Sequence, residues 1–123
     1  MPTSADFTLL DNPIWNSLGA GHAHLAISSP GGLARRYPAD IGPLSGLREP
    51  TPAAFADLAS IIPEGDLAAL FLEARPEIPS HWEFLRDGTL VQMICEKIIA
   101  APPIEDPIVP LEPSDFPEML ALA

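Results

Sequence analysis

Two histidines spaced one residue apart, His22 and His24 in "GHAH", are the first residues whose types could do chemistry, as a pair of metal ligands. A helix does not bring positions i and i+2 to one face, and no Cys, His or Asp cluster lies nearby in sequence to complete a tetrahedral set. The spacing therefore predicts His22 as a satisfied, partly buried side chain and His24 as a surface one. Cys95 would need a histidine beside it to act as a nucleophile. The alternation of Val91, Met93 and Cys95 instead predicts a buried, inert thiol in mid-strand. Arg35-Arg36 is the only basic pair in the chain. On a strand its two side chains point to opposite faces, so the pair predicts a rim salt bridge rather than an anion clamp. "GAG" and "PGG" lack the order of strand, Gly-rich turn and helix start that a phosphate cradle requires. Trp15, Tyr37, Trp82 and Phe84 could line a pocket, but packing is the expected use of most of them. Glu49, Glu73, Glu83 and Glu96 show no pairing of an acid with a base. No catalytic, cofactor-binding or metal-ligating residue is assigned.

The chain has 123 residues, enough for one hydrophobic core, and 47% apolar against 19% charged residues marks a globular chain rather than a disordered one. A net charge of −11, with Lys97 as the single lysine, excludes the basic field that nucleic acid requires and argues against an anionic lipid surface. No run approaches the ~18 apolar residues of a membrane span. The opening "MPTSADFTLLDNP" lacks a basic segment followed by an apolar one, so a cytoplasmic location is expected. A lone cysteine rules out an internal disulfide.

The elements that must position these residues are short. Asn12 or Asp11 can cap a helix with Pro13 at its first position, and Ile14, Trp15, Leu18, His22 and Leu25 share a face, so a helix is expected over about 13–25. "LARRYP" and "GPLSGLRE" predict two strands of a hairpin or an edge pair. "TPAAFADLASII" is the clearest helix, with Thr51 as cap, Pro52 in the first turn, and Phe55, Leu58, Ala59 and Ile62 on one face. "GDLAALFLEA" suits a strand buried on both faces in mid-sheet. "RDGTLVQMICEKI" predicts a turn at Asp87-Gly88 and a strand after it.

"AAPPIEDP" is a linker by composition. The expected organisation is an N-terminal α/β lobe over 1–101, a Pro-rich linker over 102–107, and the beginning of a second domain over 108–123. In the last part "IVPL" reads as a strand, and Asp115 and Glu118 have capping-box spacing ahead of Met119, Leu120 and Leu122. From Ile98 onward five carboxylates stand with no Lys or Arg, an acidic stretch suited to a basic neighbour. The fold class expected is α+β, with a mixed sheet of about four or five strands and two or three helices. Its core should include Trp15, Leu18, Phe55, Leu58, Ile62, Leu70, Leu72, Val91 and Met93.

"DPIVPLEPSDFPEMLALA" resembles the opening strand and first helix of a GNAT (Gcn5-related) N-acetyltransferase domain, where a "φxPLxxxDφxxMxxL" pattern is common. "DNPIWNSL…AHLAI", "GLARRYPADIGPL" and "LVQMI" are similar to the N-terminal region of bacterial members that place a small α/β lobe ahead of the catalytic domain. The resemblance implies an acetyl-CoA-dependent N-acetyltransferase whose cofactor loop, (Q/R)-x-x-G-x-(G/A), does not occur in this chain. It implies direct attack of an amine on the thioester, helped by oxyanion-stabilising backbone amides. None of the family's site positions maps onto residues 1–123, so the chain is expected to be truncated before the acetyl-CoA site and inactive alone. The partners implied are the C-terminal acetyltransferase domain or another copy of the chain. A non-catalytic protein-binding or assembly lobe is the alternative, and a self-contained small enzyme a third reading.

Overall fold

Thr51 and Pro52 start the best-formed element of the protein. In the computed structural model, which describes residues 7–123, the Thr51 hydroxyl accepts from the Ala54 amide (3.2 Å) and Pro52 opens helix α2, Pro52–Ala59. Ala54, Phe55 and Leu58 form its buried stripe. Pro13 likewise opens α1, but α1 spans only Pro13–Leu18. Gly19 caps it, and the chain resumes as a 3-10 turn at Ala23–Leu25, so the expected helix over 13–25 is broken at "LGAG". Glycine costs ~1 kcal/mol relative to alanine in a helix, and two of them fall in one turn.

The strands are β1 (Ile27–Ser28), β2 (Ala34–Arg36), β3 (Leu44–Leu47) and β4 (Ala69–Leu70), in the spatial order β1-β2-β3-β4. The first three form an antiparallel meander, with Arg36 opposite both Ile27 and Ser45, and Ala34 opposite Leu47. Gly32, at φ 73°, makes the β1–β2 turn. β4 pairs parallel to β3, Ser45 opposite Leu70, and α2 supplies the crossover that a parallel pair requires. With α3 (Phe116–Leu122) the described residues give an α+β fold of one mixed four-stranded sheet and three α-helices.

Alternation along β2 and β3 gives the sheet two dissimilar faces. Ala34, Arg36, Ser45 and Leu47 share the face under α2, where Ala34, Leu47, Ala54, Phe55 and Leu58 make the core and Ile62, Leu70 and Trp82 pack at its margin. Arg35 and Gly46 share the face under α1. A Cβ at Gly46 would stand 2.6 Å from the Trp15 amide nitrogen, so only glycine lets α1 lie this close to the strand.

The chain divides into two compact units, one ending at Gln92 and one over Met93–Ala123. Several expectations are corrected here. Leu18, Phe55 and Leu58 are buried, and Trp15, Ile62, Leu70 and Leu72 half-buried, but Val91 and Met93 are 85% and 92% exposed. The strand expected after Asp87-Gly88 does not form, and neither does one at "IVPL": the backbone over 83–112 is neither helix nor strand. A strand satisfies its backbone only through a neighbour, and no described strand pairs with these segments. β4 is a two-residue edge strand rather than a central one, since among the described residues it pairs with β3 alone. The capping box before α3 uses Glu112 and Asp115 instead of Asp115 and Glu118.

Candidate functional site

Arg36 sits on β2 directly across the ladder from Ser45 on β3, so their side chains rise from the sheet side by side on the α2 face. Both are buried, at 8% and 1% exposure. Arg36 donates from Nε to the Tyr37 carbonyl (3.1 Å) and from Nη1 to the Ile61 carbonyl (2.7 Å), just beyond the end of α2. The second contact is a favourable use of a cation, at a helix C-terminus. Among the described residues the ion pair present is elsewhere, Arg75 with Asp87, so the carbonyls of Tyr37 and Ile61 are what offset the burial of this guanidinium. Ser45 Oγ, also buried, has no hydrogen-bond partner.

These two groups border a cavity of about 320 Å³. Pro43, Ile62 and Leu67 give it apolar wall, and Asp66, exposed at its rim, contributes a carboxylate. Ile62, Gly65, Asp66 and Leu67 also border a second cavity, of about 480 Å³, together with His81 and Trp82. Trp82 is anchored there by its indole N–H, which donates to the Phe55 carbonyl (3.1 Å).

A second polar cluster joins α1 to β2. The Tyr37 hydroxyl lies 2.6 Å from His22 Nδ1 and 3.0 Å from Ser17 Oγ, and Ser17 Oγ lies 3.2 Å from His22 Nδ1. Serine beside a histidine is the beginning of a nucleophile and its base. Here Nδ1 is taken by the buried Tyr37, and no carboxylate among the described residues hydrogen-bonds the imidazole to orient it. The cluster is a tie between elements. His22 is thus partnered as expected, though its ring remains exposed, and His24 is exposed beside it.

Asp57 on α2 holds the β1–β2 turn. Its carboxylate accepts from the Ser29 hydroxyl and from the amides of Gly31 (3.0 Å) and Leu33 (2.9 Å). The Ser29 hydrogen bond, then that of Leu33, hold its pKa below the ordinary 3.8, against a smaller opposing effect of desolvation.

The remaining sequence-derived candidates lie apart from the cavity. Arg35 and Arg36 do point to opposite faces, but neither makes the expected rim salt bridge: Arg35 lies 3.7 Å over the Trp15 ring and donates to the Trp15 carbonyl (2.9 Å). Cys95 is exposed, not buried, because the strand that would bury it is absent. Phe84 is exposed, with the Arg75 guanidinium 4.9 Å from its ring centroid. Sequence reasoning missed Ser45 altogether. Its signal was the hairpin register, which pairs "LARR" with "LSGL" so that Arg36 meets Ser45 when Ala34 meets Leu47.

Comparison with protein-family models, curated proteins and solved structures returns no match for this chain.

Proposed function

We propose that the chain is the N-terminal part of a GNAT-family N-acetyltransferase: a small lobe, the first strand and helix of the catalytic domain, and no acetyl-CoA site of its own. One observation carries the reading. "LVQMI" and "IVPL" have the composition of paired strands, yet they lie unpaired with Leu90, Val91, Met93, Ile108 and Val109 exposed. Strands of this kind pair when further sequence supplies the neighbours. The α3 segment, "FPEMLAL", is helical and exposes Leu120 and Leu122, an apolar surface of the kind a catalytic domain would cover. No helix among the described residues is long and apolar enough to cross a membrane, which fits a cytoplasmic enzyme.

In this reading acetyl-CoA and the amine acceptor bind beyond Ala123, and acetyl transfer proceeds by attack of the amine on the thioester carbonyl. The reading frame after the Ala123 codon tests it. Continuation for about 150 residues, a domain's worth, with a (Q/R)-x-x-G-x-(G/A) run is expected. The longer product should bind acetyl-CoA in calorimetry, and the amides of 90–95 and 108–111 should be protected from hydrogen exchange in it. A stop codon after Ala123, or a longer product that does not bind acetyl-CoA, overturns the reading. The stop codon would leave the protein-binding lobe as the better account of the exposed apolar segments.

A further inference from the structure

Asp87-Gly88 is the one step in the chain at which an aspartate or asparagine precedes a glycine. That order permits a reaction of the backbone itself. The nitrogen of the second residue can attack Cγ of the first, and glycine puts no Cβ in the way of the ring that closes. The local structure favours it. The backbone over 83–90 is neither helix nor strand, so no ladder or helical turn holds Asp87 and Gly88 in one conformation. The Gly88 amide donates to no described residue, and a Cβ built on Gly88 would meet nothing within 4 Å. The Asp87 side chain is 54% exposed and Gly88 is exposed, so water reaches the site. Asp57 is the opposite case, lying on α2 ahead of Leu58 with its carboxylate held by three donors.

One contact opposes the reaction. Arg75 Nε stands 3.0 Å from Asp87 Oδ2 and favours the carboxylate as an anion. Attack at Cγ must expel an oxygen, which departs as water from the protonated acid and not from the anion. The Arg75 guanidinium also lies 4.9 Å from the Phe84 ring centroid, so the side chain that restrains Asp87 is itself held.

We propose that Asp87-Gly88 is a site of spontaneous isoaspartyl modification, restrained by the ion pair with Arg75. The bond from Gly88 nitrogen to Asp87 Cγ forms, the Cγ–OH bond breaks, and the hydroxyl leaves as water with the amide proton. Water then adds back to the succinimide. Breaking the N–Cγ bond restores aspartate. Breaking the bond from nitrogen to the Asp87 backbone carbonyl carbon sends the main chain through Cβ and leaves the carboxylate on Cα, displaced from Arg75. The inference does not rest on acetyl transfer.

The test is incubation of the full chain at neutral pH below its Tm. The product is then denatured and methylated by a protein isoaspartate O-methyltransferase with radiolabelled S-adenosylmethionine. Peptide mapping with electron-transfer fragmentation locates the isoaspartate, which should accumulate at Asp87 above every other aspartate. Gly88→Val should abolish it, as should Asp87→Glu, which keeps a carboxylate for Arg75 but can close only a larger ring. Arg75→Gln should accelerate accumulation about twofold to fivefold, the span that an exposed ion pair supplies. Added salt should accelerate the unaltered protein and leave Arg75→Gln unmoved, which separates the ion pair from a general loosening of the loop. The proposal is overturned if another aspartate is modified faster, if Gly88→Val is modified as fast as the unaltered protein, or if Arg75→Gln is no faster.

Discussion

On the α1 face of the β2–β3 ladder Arg35 lies half-buried across the Trp15 ring, whereas on the α2 face Arg36 carries its charge to a position 8% exposed. Arg35 keeps its desolvation small. Its guanidinium stacks on an indole and reaches one carbonyl, Trp15's, while part of the side chain stays in water. Arg36 accepts the larger cost of burial and offsets it with two carbonyls, those of Tyr37 and Ile61. The faces differ in how they pack as well. The α2 face is a hydrophobic core of side chains from two elements, while the α1 face depends on a glycine that lets backbone approach backbone. One pair of neighbouring residues therefore serves two purposes: Arg35 fastens a helix to the sheet, and Arg36 borders a cavity.

Substitutions on the two faces should separate these roles. Leu47→Ala, at 0% exposure in the α2-face core, should produce the largest loss, about 2–5 kcal/mol in urea denaturation. Gly46→Ala comes next. The added Cβ meets Trp15 backbone atoms at 2.6 and 2.8 Å, which cannot turn away as a side chain would, so about 1–3 kcal/mol should be lost. The change should appear in near-ultraviolet circular dichroism through Trp15, while the Trp82 environment on the other face stays intact.

Asp57→Asn should have a smaller effect, and its pH dependence identifies it. The folded-state pKa lies below 3.8, so the ionised carboxylate stabilises the fold fully above that value, and the contribution is lost as pH falls through the folded pKa. The difference in Tm between the protein and the Asn variant should be constant from pH 7 to about pH 5 and shrink below about pH 4. A difference that grew on acidification would remove Asp57 as the anchor of the turn. Arg35→Ala should be the mildest change, about 0.5–1 kcal/mol, as befits a cation over an aromatic ring at a partly exposed site. A loss as large as that of Leu47→Ala would erase the distinction between the faces.

The two faces were not equally legible in the sequence. Helix α2 was, because Thr51, Pro52 and the spacing of Phe55, Leu58 and Ile62 are local signals and a helix satisfies its own backbone. The hairpin was readable from its Gly and Pro punctuation. The core positions Ala34 and Leu47 were not, since strands of three and four residues that contain Arg-Arg and Ser-Gly show no apolar alternation. "LVQMICE" shows alternation without forming a strand. Periodicity reports which face of a strand would be apolar, and it says nothing of whether a neighbour exists to pair with. The candidate cavity was hidden for a related reason: Arg36 and Ser45 meet through strand register, a relation between distant positions that neither motif contains.

Asp57 also sets an order in time. The donors it gathers at Ser29, Gly31 and Leu33 precede it by 28, 26 and 24 residues. During synthesis at ~5–20 residues per second, the β1–β2 turn is therefore made roughly 1–5 s before the side chain that secures it. Through that interval the two-residue strand β1 has only its own hairpin to hold it. Arrival of α2 then supplies both the carboxylate that secures the first hairpin and the core over β2 and β3, before the last strand, β4, has been made.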